Sequence, residues 1–253
     1  MTKISTNEID IVKSEKSRIN DVDFDNLVFG RTFTDHMFYC DYVDGEWQQP
    51  KIVPYQPITI EPSARVFHYG QAVFEGMKGY KDDNGDAWLF RPNDNFERIN
   101  KSAARLAIPE FPKEYFFEGL TTLLNMDKAW IKKGKGNSLY IRPFVFATEP
   151  AISASPANNY RFMIICSPAK AYYTAKLRVL FAEKYSRSAN GSLKEIFGAG
   201  TAAVISPIAA FEHGGDVFEL PELDNSYALQ IKDHILNIQH NLSEDKHGWR
   251  FKV

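Results

Sequence analysis

Cysteine is scarce in this sequence: Cys40 and Cys166 are the two in 253 residues, far apart and in no CxxC pair. That excludes a disulfide scaffold and a thiolate zinc site, and it fits a reducing compartment. The six histidines form no HExxH or other clustered ligand pattern, so no metal site is expected. His213, beside Gly214-Gly215, reads as a loop residue rather than a ligand. No run approaches the roughly 20 apolar residues of a membrane span. Met1 to Asp21 is polar and charged with no apolar h-region, so no signal peptide is expected and the cytoplasm is the default location. Charge of one sign is lacking as well. A net charge of -2 gives no electrostatic case for nucleic acid. There is no internal repeat and no low-complexity tract.

What is present is core material. Apolar residues make up 44% of the chain and aromatics 14%, enough for one or two folded domains and too much for a disordered chain. Residues 1–25 read as a polar arm. Phe38 to Val43 followed by Asp44-Gly45 reads as a strand entering a hairpin turn. Pro50, Pro54, Pro57 and Pro62 mark an extended stretch that resists helix. Trp88-Leu89-Phe90 is a short strand. Phe96, Ile99, Ala103 and Leu106 recur at helical spacing, which predicts a helix over 93–107 with Asn93 as cap and Pro109 as stop. A second helix is expected over about 115–133, ended by Gly134. Strands are expected at 138–148 and 160–166, with a Ser/Pro/Asn-rich loop between them, and another begins at Leu177. A helix is expected at 226–241. After Gly191 little strand material is expected. The reading is therefore an α/β (α+β) chain. It has an N-terminal α/β domain at 26–167, a connector at 168–175 and a small C-terminal domain at 176–253.

Four segments could carry chemistry. His68-Tyr69-Gly70-Gln71-Ala72-Val73-Phe74-Glu75-Gly76-Met77-Lys78 places Tyr69 and Phe74 in a short turn flanked by Gly70 and Gly76. On physics alone that reads as a core turn. Arg98 lies one step off the apolar stripe of its helix, where a solvated arginine is the commoner fate. Tyr140 and Arg142 share a strand face, and a buried arginine there wants an anionic partner, such as an internal salt bridge with Glu149. Gly198-Ala199-Gly200-Thr201-Ala202 is a plausible anion nest, because glycines let successive N–H groups converge and Thr201 adds a hydroxyl.

Together these segments resemble the branched-chain amino acid aminotransferases, which are fold-type IV pyridoxal-phosphate enzymes. The resemblance runs from about residue 20 to the end. It includes Phe29-Gly30-Arg31-Thr32-Phe33, Leu89-Phe90-Arg91-Pro92 through Arg98, Glu195-Ile196-Phe197-Gly198 through Ala202, and His247-Gly248-Trp249. It implies that Arg98, Thr201 and Gly200 bind the phosphate of pyridoxal 5'-phosphate. It also implies that Phe29, Tyr69, Phe74, Tyr140, Arg142, Tyr172 and Ala202 contact substrate. Glu149-Pro150 resembles the start of a loop that, in the family, reaches a partner subunit. A redox cysteine pair found after the Thr-Ala in some relatives is not present in Ala203-Val204-Ile205-Ser206.

One feature departs from the family. Tyr185-Ser186-Arg187-Ser188-Ala189-Asn190-Gly191 runs directly into Ser192-Leu193-Lys194-Glu195. In the family these segments are separated by a Gly-rich run bearing the lysine that bonds the cofactor, by the glutamate at the pyridine nitrogen, and by a phosphate-cradling helix start. Roughly a hundred residues are absent, most of a domain on ordinary size grounds. Lys194 belongs to the downstream string and Lys184 to the strand before Arg187, so neither fills the role. The resemblance implies transfer of the amino group of leucine, isoleucine or valine to 2-oxoglutarate. This chain, without the lysine, is expected to be inactive or strongly impaired. The competing expectation is a non-catalytic pseudoenzyme that associates with an intact paralogue, or as a homodimer. A third is a chain shortened by gene prediction or in the laboratory. D-Amino acid transamination and aminodeoxychorismate cleavage fit Phe29 and the Tyr69–Phe74 string less well. Asn190-Gly191 suggests a deletion between two short Asn-Gly repeats. Sequencing the source locus across codons 185–200 tests this origin, and an intact lysine-bearing segment there would sink it.

Overall fold

Period-2 alternation in three long strands decides the architecture. The computed structural model describes residues 9–170, 177–180, 193–213 and 215–253. Its first part runs β1 (Asp10–Ile11), β2 (His36–Val43), β3 (Glu46–Trp47), β4 (Lys51–Pro54), α1 (Arg65–Tyr69), β5 (Ala72–Phe74), β6 (Met77–Lys81), β7 (Ala87–Phe90), α2 (Pro92–Arg105), α3 (Lys113–Met126), β8 (Ser138–Ala147) and β9 (Tyr160–Ala169). Then follow β10 (Leu177–Leu180), β11 (Phe197–Gly200), β12 (Val204–His213), β13 (Asp216–Glu219), α4 (Tyr227–Gln239) and β14 (Arg250–Lys252). Ten strands form one sheet in the order β1-β4-β2-β9-β8-β6-β7-β14, with β3 beside β2 and β5 beside β8. The other four form a second sheet around β12.

In the large sheet, Phe38 and Cys40 of β2, Leu139, Ile141 and Val145 of β8, and Phe162, Ile164 and Cys166 of β9 enter one core. Successive side chains point to opposite faces, so these positions share a side. α2 and α3 cover that side with Phe96, Ile99, Ala103, Phe116, Leu120 and Leu123. The Phe111 and Phe162 rings stack at 3.8 Å, and Phe38 meets both edge-on. The other face holds a much smaller cluster around Met37, Phe146 and Met163. Tyr140 and Arg142, the alternate positions of β8, therefore emerge on the thinly covered side.

Several element ends differ from expectation for local reasons. Asn93 is not the cap of α2. Arg91 takes φ 53° and Pro92 occupies the first helical position, where its missing N–H is no loss. The helix ends at Arg105, with Ala107 at φ 53°, before Pro109 acts. α3 stops at Met126, and the rest of the expected 115–133 helix is a single 3-10 turn, Lys128–Trp130. Asp127 interrupts it by accepting from the His36 backbone N–H at 3.1 Å and meeting His36 Nδ1 at 2.7 Å. Burial drives the Asp127 pKa upward against these bonds. The Asp44-Gly45 hairpin is as expected, with both residues at positive φ, 55° and 83°.

The expectation of little strand after Gly191 is corrected, because β11 to β14 all lie there. Val204–His213 holds Val204, Ile205, Ile208 and Phe211, which favour a strand, but also Pro207, which obscures it in the sequence. Its extended form comes from pairing with β10, β11 and β13. His213 is the last residue of β12 rather than a loop residue, and Gly215 at φ 90° follows in the turn to β13. β14 crosses back to pair with β7 of the large sheet. α4 begins at Ser226, whose side chain accepts from Leu229 N–H. Glu195 completes that helix start, accepting from the Tyr227 and Ala228 N–H groups, each at 2.9 Å, and from the Ser226 hydroxyl. The Ser226 bond is the first cause that holds the Glu195 carboxyl below its usual range.

A Cβ on Gly119 of α3 would overlap the buried Phe38 ring. Overpacking of this kind costs about 1–3 kcal/mol, more than the roughly 1 kcal/mol that alanine adds to a helix. Gly119→Ala should lower the urea midpoint without changing the slope. Combined with Phe38→Leu, the total loss should be smaller than the sum of the two single losses. Strict additivity would show that the ring is not the obstacle.

Candidate functional site

The turn at 201–203 joins β11 to β12, and their pairing sets Gly200 opposite Val204. Val204 takes φ 60°, a strained conformation for a β-branched residue and one that only surrounding contacts can hold. Two hydrogen bonds seat the turn on the large sheet. Thr201 Oγ1 donates to the Gly76 carbonyl at 3.2 Å, and Lys78 Nζ donates to the Ala202 carbonyl at 2.7 Å.

A cavity of about 310 Å³ opens at this seam. Its walls bring together Arg98 from α2, Gly200 and Thr201 from the turn, Lys78 from β6 and Gln239 from α4. The three residues expected at a cofactor phosphate thus share one cavity. Arg98 is neither purely solvated nor spent: Glu75 accepts from its Nε and Nη2. The Glu75 side chain is 8% exposed and that of Arg98 is 62% exposed. The Glu75 bond is the leading cause of a guanidinium pKa raised still further. One edge of the fork is fixed, and Nη1 finds no acceptor among the described residues.

Lys78 is buried, and burial first, with Lys232 second, lowers its pKa from 10.5 to about 8. No carboxylate pairs with it among the described residues. Gln239 is buried with its Oε1 unpaired. Lys78, Glu75 and Gln239 are the residues that sequence reasoning missed. Lys78 closes the 68–78 motif, but its burial on β6 is visible only in the structure.

A second group adjoins at Gly76. A Cβ there would stand 2.5 Å from the Tyr140 hydroxyl, so only glycine lets the phenol in. Arg142 Nη2 donates to that hydroxyl at 2.6 Å, and its guanidinium lies 4.2 Å from the Phe74 ring centre. Phe29 meets Tyr140 edge-on at 5.0 Å. Four of the expected substrate contacts, Phe29, Phe74, Tyr140 and Arg142, are therefore assembled. Tyr69 stands apart at the end of α1. Tyr69 is 46% exposed and Phe74 67% exposed, which corrects the reading of this motif as a core turn. Glu149 pairs with Arg65 at 3.2 Å and not with Arg142, correcting the internal salt bridge. Ala202 contributes its carbonyl to Lys78. Tyr172, Lys184 and the Gly191/Ser192 junction lie outside the described residues. Lys194 lines a different cavity, of about 380 Å³, with Glu195 and Pro207. Among the described residues no cluster of three potential metal ligands occurs, and no helix is long and apolar enough to cross a membrane.

Known proteins similar to the chain agree with one another. Branched-chain-amino-acid transaminase 1 of Bacillus subtilis (strain 168) is 43% identical over 239 residues, covering 91% of this chain and 66% of its own. A probable branched-chain-amino-acid aminotransferase of Staphylococcus aureus (strain N315) is 47% identical over 213 residues, covering 81% and 59%. The chain spans between 56% and 66% of the length of the curated relatives it matches. The crystal structure of the branched-chain aminotransferase from Thermoproteus uzoniensis with norvaline superposes with a TM-score of 0.63 at 16% identity, covering 84% of this chain and 98% of that one. Another branched-chain amino acid aminotransferase structure, complexed with N-(5'-phosphopyridoxyl)-L-glutamate, gives 0.60 at 15%, covering 84% and 97%. No protein-family model matches the chain.

The Lys78 charge has a stability consequence. Its folded pKa, about 8, lies below the ordinary 10.5. Between these values the unfolded chain binds more protons, so stability rises with pH across that window. Below pH 8 the buried charge costs up to about 3 kcal/mol. Lys78→Met also removes the partner of the Ala202 carbonyl, so the readout is the pH dependence: the stability of the variant relative to wild type should fall as pH rises from 8 to 10.5. A pH-independent difference would contradict the burial of the charge.

Proposed function

The chain belongs to the fold-type IV branched-chain aminotransferase family, and from that premise we propose that it retains the ligand-binding walls of the family's site without its amino-transfer chemistry. The observation that carries this reading is the single cavity lined by Arg98, Gly200 and Thr201. Its lining suits a phosphate: a guanidinium with one edge uncommitted, a hydroxyl that can turn from the Gly76 carbonyl to an anion, and a glycine whose missing side chain leaves open space. Pyridoxal 5'-phosphate, when bound, supplies an electron sink for amino-group transfer.

In this reading Arg98 holds the phosphate, Thr201 joins it by turning its hydroxyl from the Gly76 carbonyl, and Gly200 lets it approach the backbone. Phe29 and Phe74 offer apolar area to a leucine-, isoleucine- or valine-like side chain, at roughly 25 cal/mol per Å² buried, while Tyr69 stands apart from them on α1. Arg142, oriented by Tyr140, faces the carboxylate of the amino acid or 2-oxo acid, with the Ala202 backbone and Tyr172 completing the contacts. Amino transfer also needs an amine that is displaced and then moves the proton between substrate and cofactor. The sequence passes from Asn190-Gly191 to Ser192-Leu193 without the family's lysine segment. Transfer from leucine, isoleucine or valine to 2-oxoglutarate is therefore absent or strongly impaired in this chain.

A second reading is favoured by a specific surface. Phe67, Tyr69, Phe74 and Ile152 are 61%, 46%, 67% and 72% exposed. A bridge between Ala64 and Pro150 holds the 150 loop beside α1. Such exposed apolar side chains suit association with an intact paralogue or a second copy. Co-purification with a full-length family member would support this reading, and a monomer in its presence would end it.

The main reading makes two measurable claims. The purified chain with pyridoxal 5'-phosphate, leucine and 2-oxoglutarate should form no glutamate above background. The same chain should bind the phosphate-bearing cofactor, and Arg98→Ala should weaken that binding about 10-fold or more, as expected for a charge-assisted hydrogen bond. Turnover at an ordinary enzymatic rate of about 1 per second or faster would overturn the first claim, and binding indifferent to Arg98 the second.

A further inference from the structure

We propose that Lys78 is the reactive amine of the Arg98–Thr201 cavity, bonding covalently to the aldehyde carbon of a small phosphate-bearing ligand such as pyridoxal 5'-phosphate. This rests on the reading of that cavity as a phosphate site.

Position carries the inference. Among the described residues lining the cavity, Lys78 is the one lysine, and Arg98 and Thr201 share its walls. The volume, about 310 Å³, matches a small-molecule site, for which roughly 300–1,000 Å³ is usual. Lys78 lines both this cavity and an adjoining one of about 50 Å³ that Ala202 and Lys232 also line, and its Nζ is held at that junction by the Ala202 carbonyl, one residue from Thr201. A single acceptor leaves the rest of the amine uncommitted. The stem is anchored in β6, whose neighbours β7 and β8 are both paired to it.

The surroundings keep the amine nucleophilic. Burial lowers its pKa to about 8, and Lys232 on α4 adds repulsion. The other charged or titratable groups near it are Arg98 and Asp94 on α2, Glu75 before β6, Tyr80 on β6 and His240 after α4. Glu75 is committed to Arg98 and Asp94 to Arg91, so neither restores the ammonium charge. Burial pushes the His240 pKa down and the Tyr80 phenol up, which leaves both neutral near pH 8. A desolvated lysine beside other cations is a general route to a nucleophilic amine.

The step balances without an oxidant or reductant. The neutral Nζ adds its lone pair to the aldehyde carbon, a proton passes from nitrogen to oxygen, and water leaves as the carbon–nitrogen double bond forms. Borohydride then delivers hydride to that carbon and fixes a secondary amine. Lys78 is not the family's lysine, which the sequence lacks. The proposal is for capture of the ligand, not for turnover.

The test is reductive trapping. The full chain is incubated with pyridoxal 5'-phosphate at pH 8, reduced with borohydride, weighed intact and mapped by peptide mass. One equivalent on the Lys78 peptide is expected, with yield rising between pH 7 and 9 in line with the amine's titration. Lys78→Met and Lys78→Arg should each lose about tenfold or more of that adduct. Pyridoxal, which lacks the phosphate, should label the wild type correspondingly less. Stoichiometric labelling of another lysine, scattered labelling, or an adduct unchanged in both variants would overturn the proposal. Pyridoxamine 5'-phosphate, which has the phosphate and no aldehyde, separates the two readings. Arg98-dependent binding of it without a Lys78 adduct leaves the phosphate site standing and removes Lys78. No binding and no adduct removes both.

Discussion

The seam between the two sheets depends on a buried lysine reaching one carbonyl. Lys78 Nζ meets Ala202, and Thr201 meets Gly76. Further along, the Asn241 side chain, just after α4, donates to Asp82, just after β6, at 2.9 Å. The core beneath α2 and α3 is different in kind, because apolar area and ring packing hold it. Apolar burial tolerates small shifts, whereas a buried polar group that loses its partner costs the whole desolvation penalty. The second sheet is therefore seated by two directional contacts, and Gly76, Lys78 and Thr201, which make them, also line the cavity.

The same alternation that fills the core also makes the site. On β8, Leu139, Ile141 and Val145 pack under the helices, while Tyr140 and Arg142 face the other way. Gly76 then supplies the space that the Tyr140 hydroxyl occupies. A side chain at Gly76 would displace Tyr140, and with it the partner that orients Arg142. Core and site are two readouts of one register, since a one-residue slip of β8 would exchange them.

Much of this was legible in the chain. The strands at 138–148 and 160–166, the Asp44-Gly45 hairpin and the α2 stripe follow from periodicity and turn chemistry. So does the pairing of Tyr140 with Arg142 on one face. The helix ends were not legible, because Asp127 stops α3 through a partner, His36, that is distant in sequence. β12 was missed although Val204, Ile205, Ile208 and Phe211 favour a strand, because Pro207 interrupts them, and pairing with three strands extends the segment through it. In the site, motif resemblance pointed to Arg98 and Thr201. Only tertiary structure shows that Glu75 holds the guanidinium by one edge, and that Lys78 stands on the same wall.

The two cations of the cavity are suited to different tasks. A guanidinium stays charged in any protein environment and grips oxyanions through a rigid fork, while a buried lysine gives up its proton. An anion placed against Lys78 would pull its pKa back up and quench the nucleophile. An anion on Arg98 acts on the amine only across the cavity, and so raises its pKa less. Glu75 favours the second arrangement, because it spends its own charge on Arg98 and fixes the fork instead of neutralising Lys78. Glu75 thus maintains the asymmetry between the two cations, a permanent charge on Arg98 and a titratable amine on Lys78.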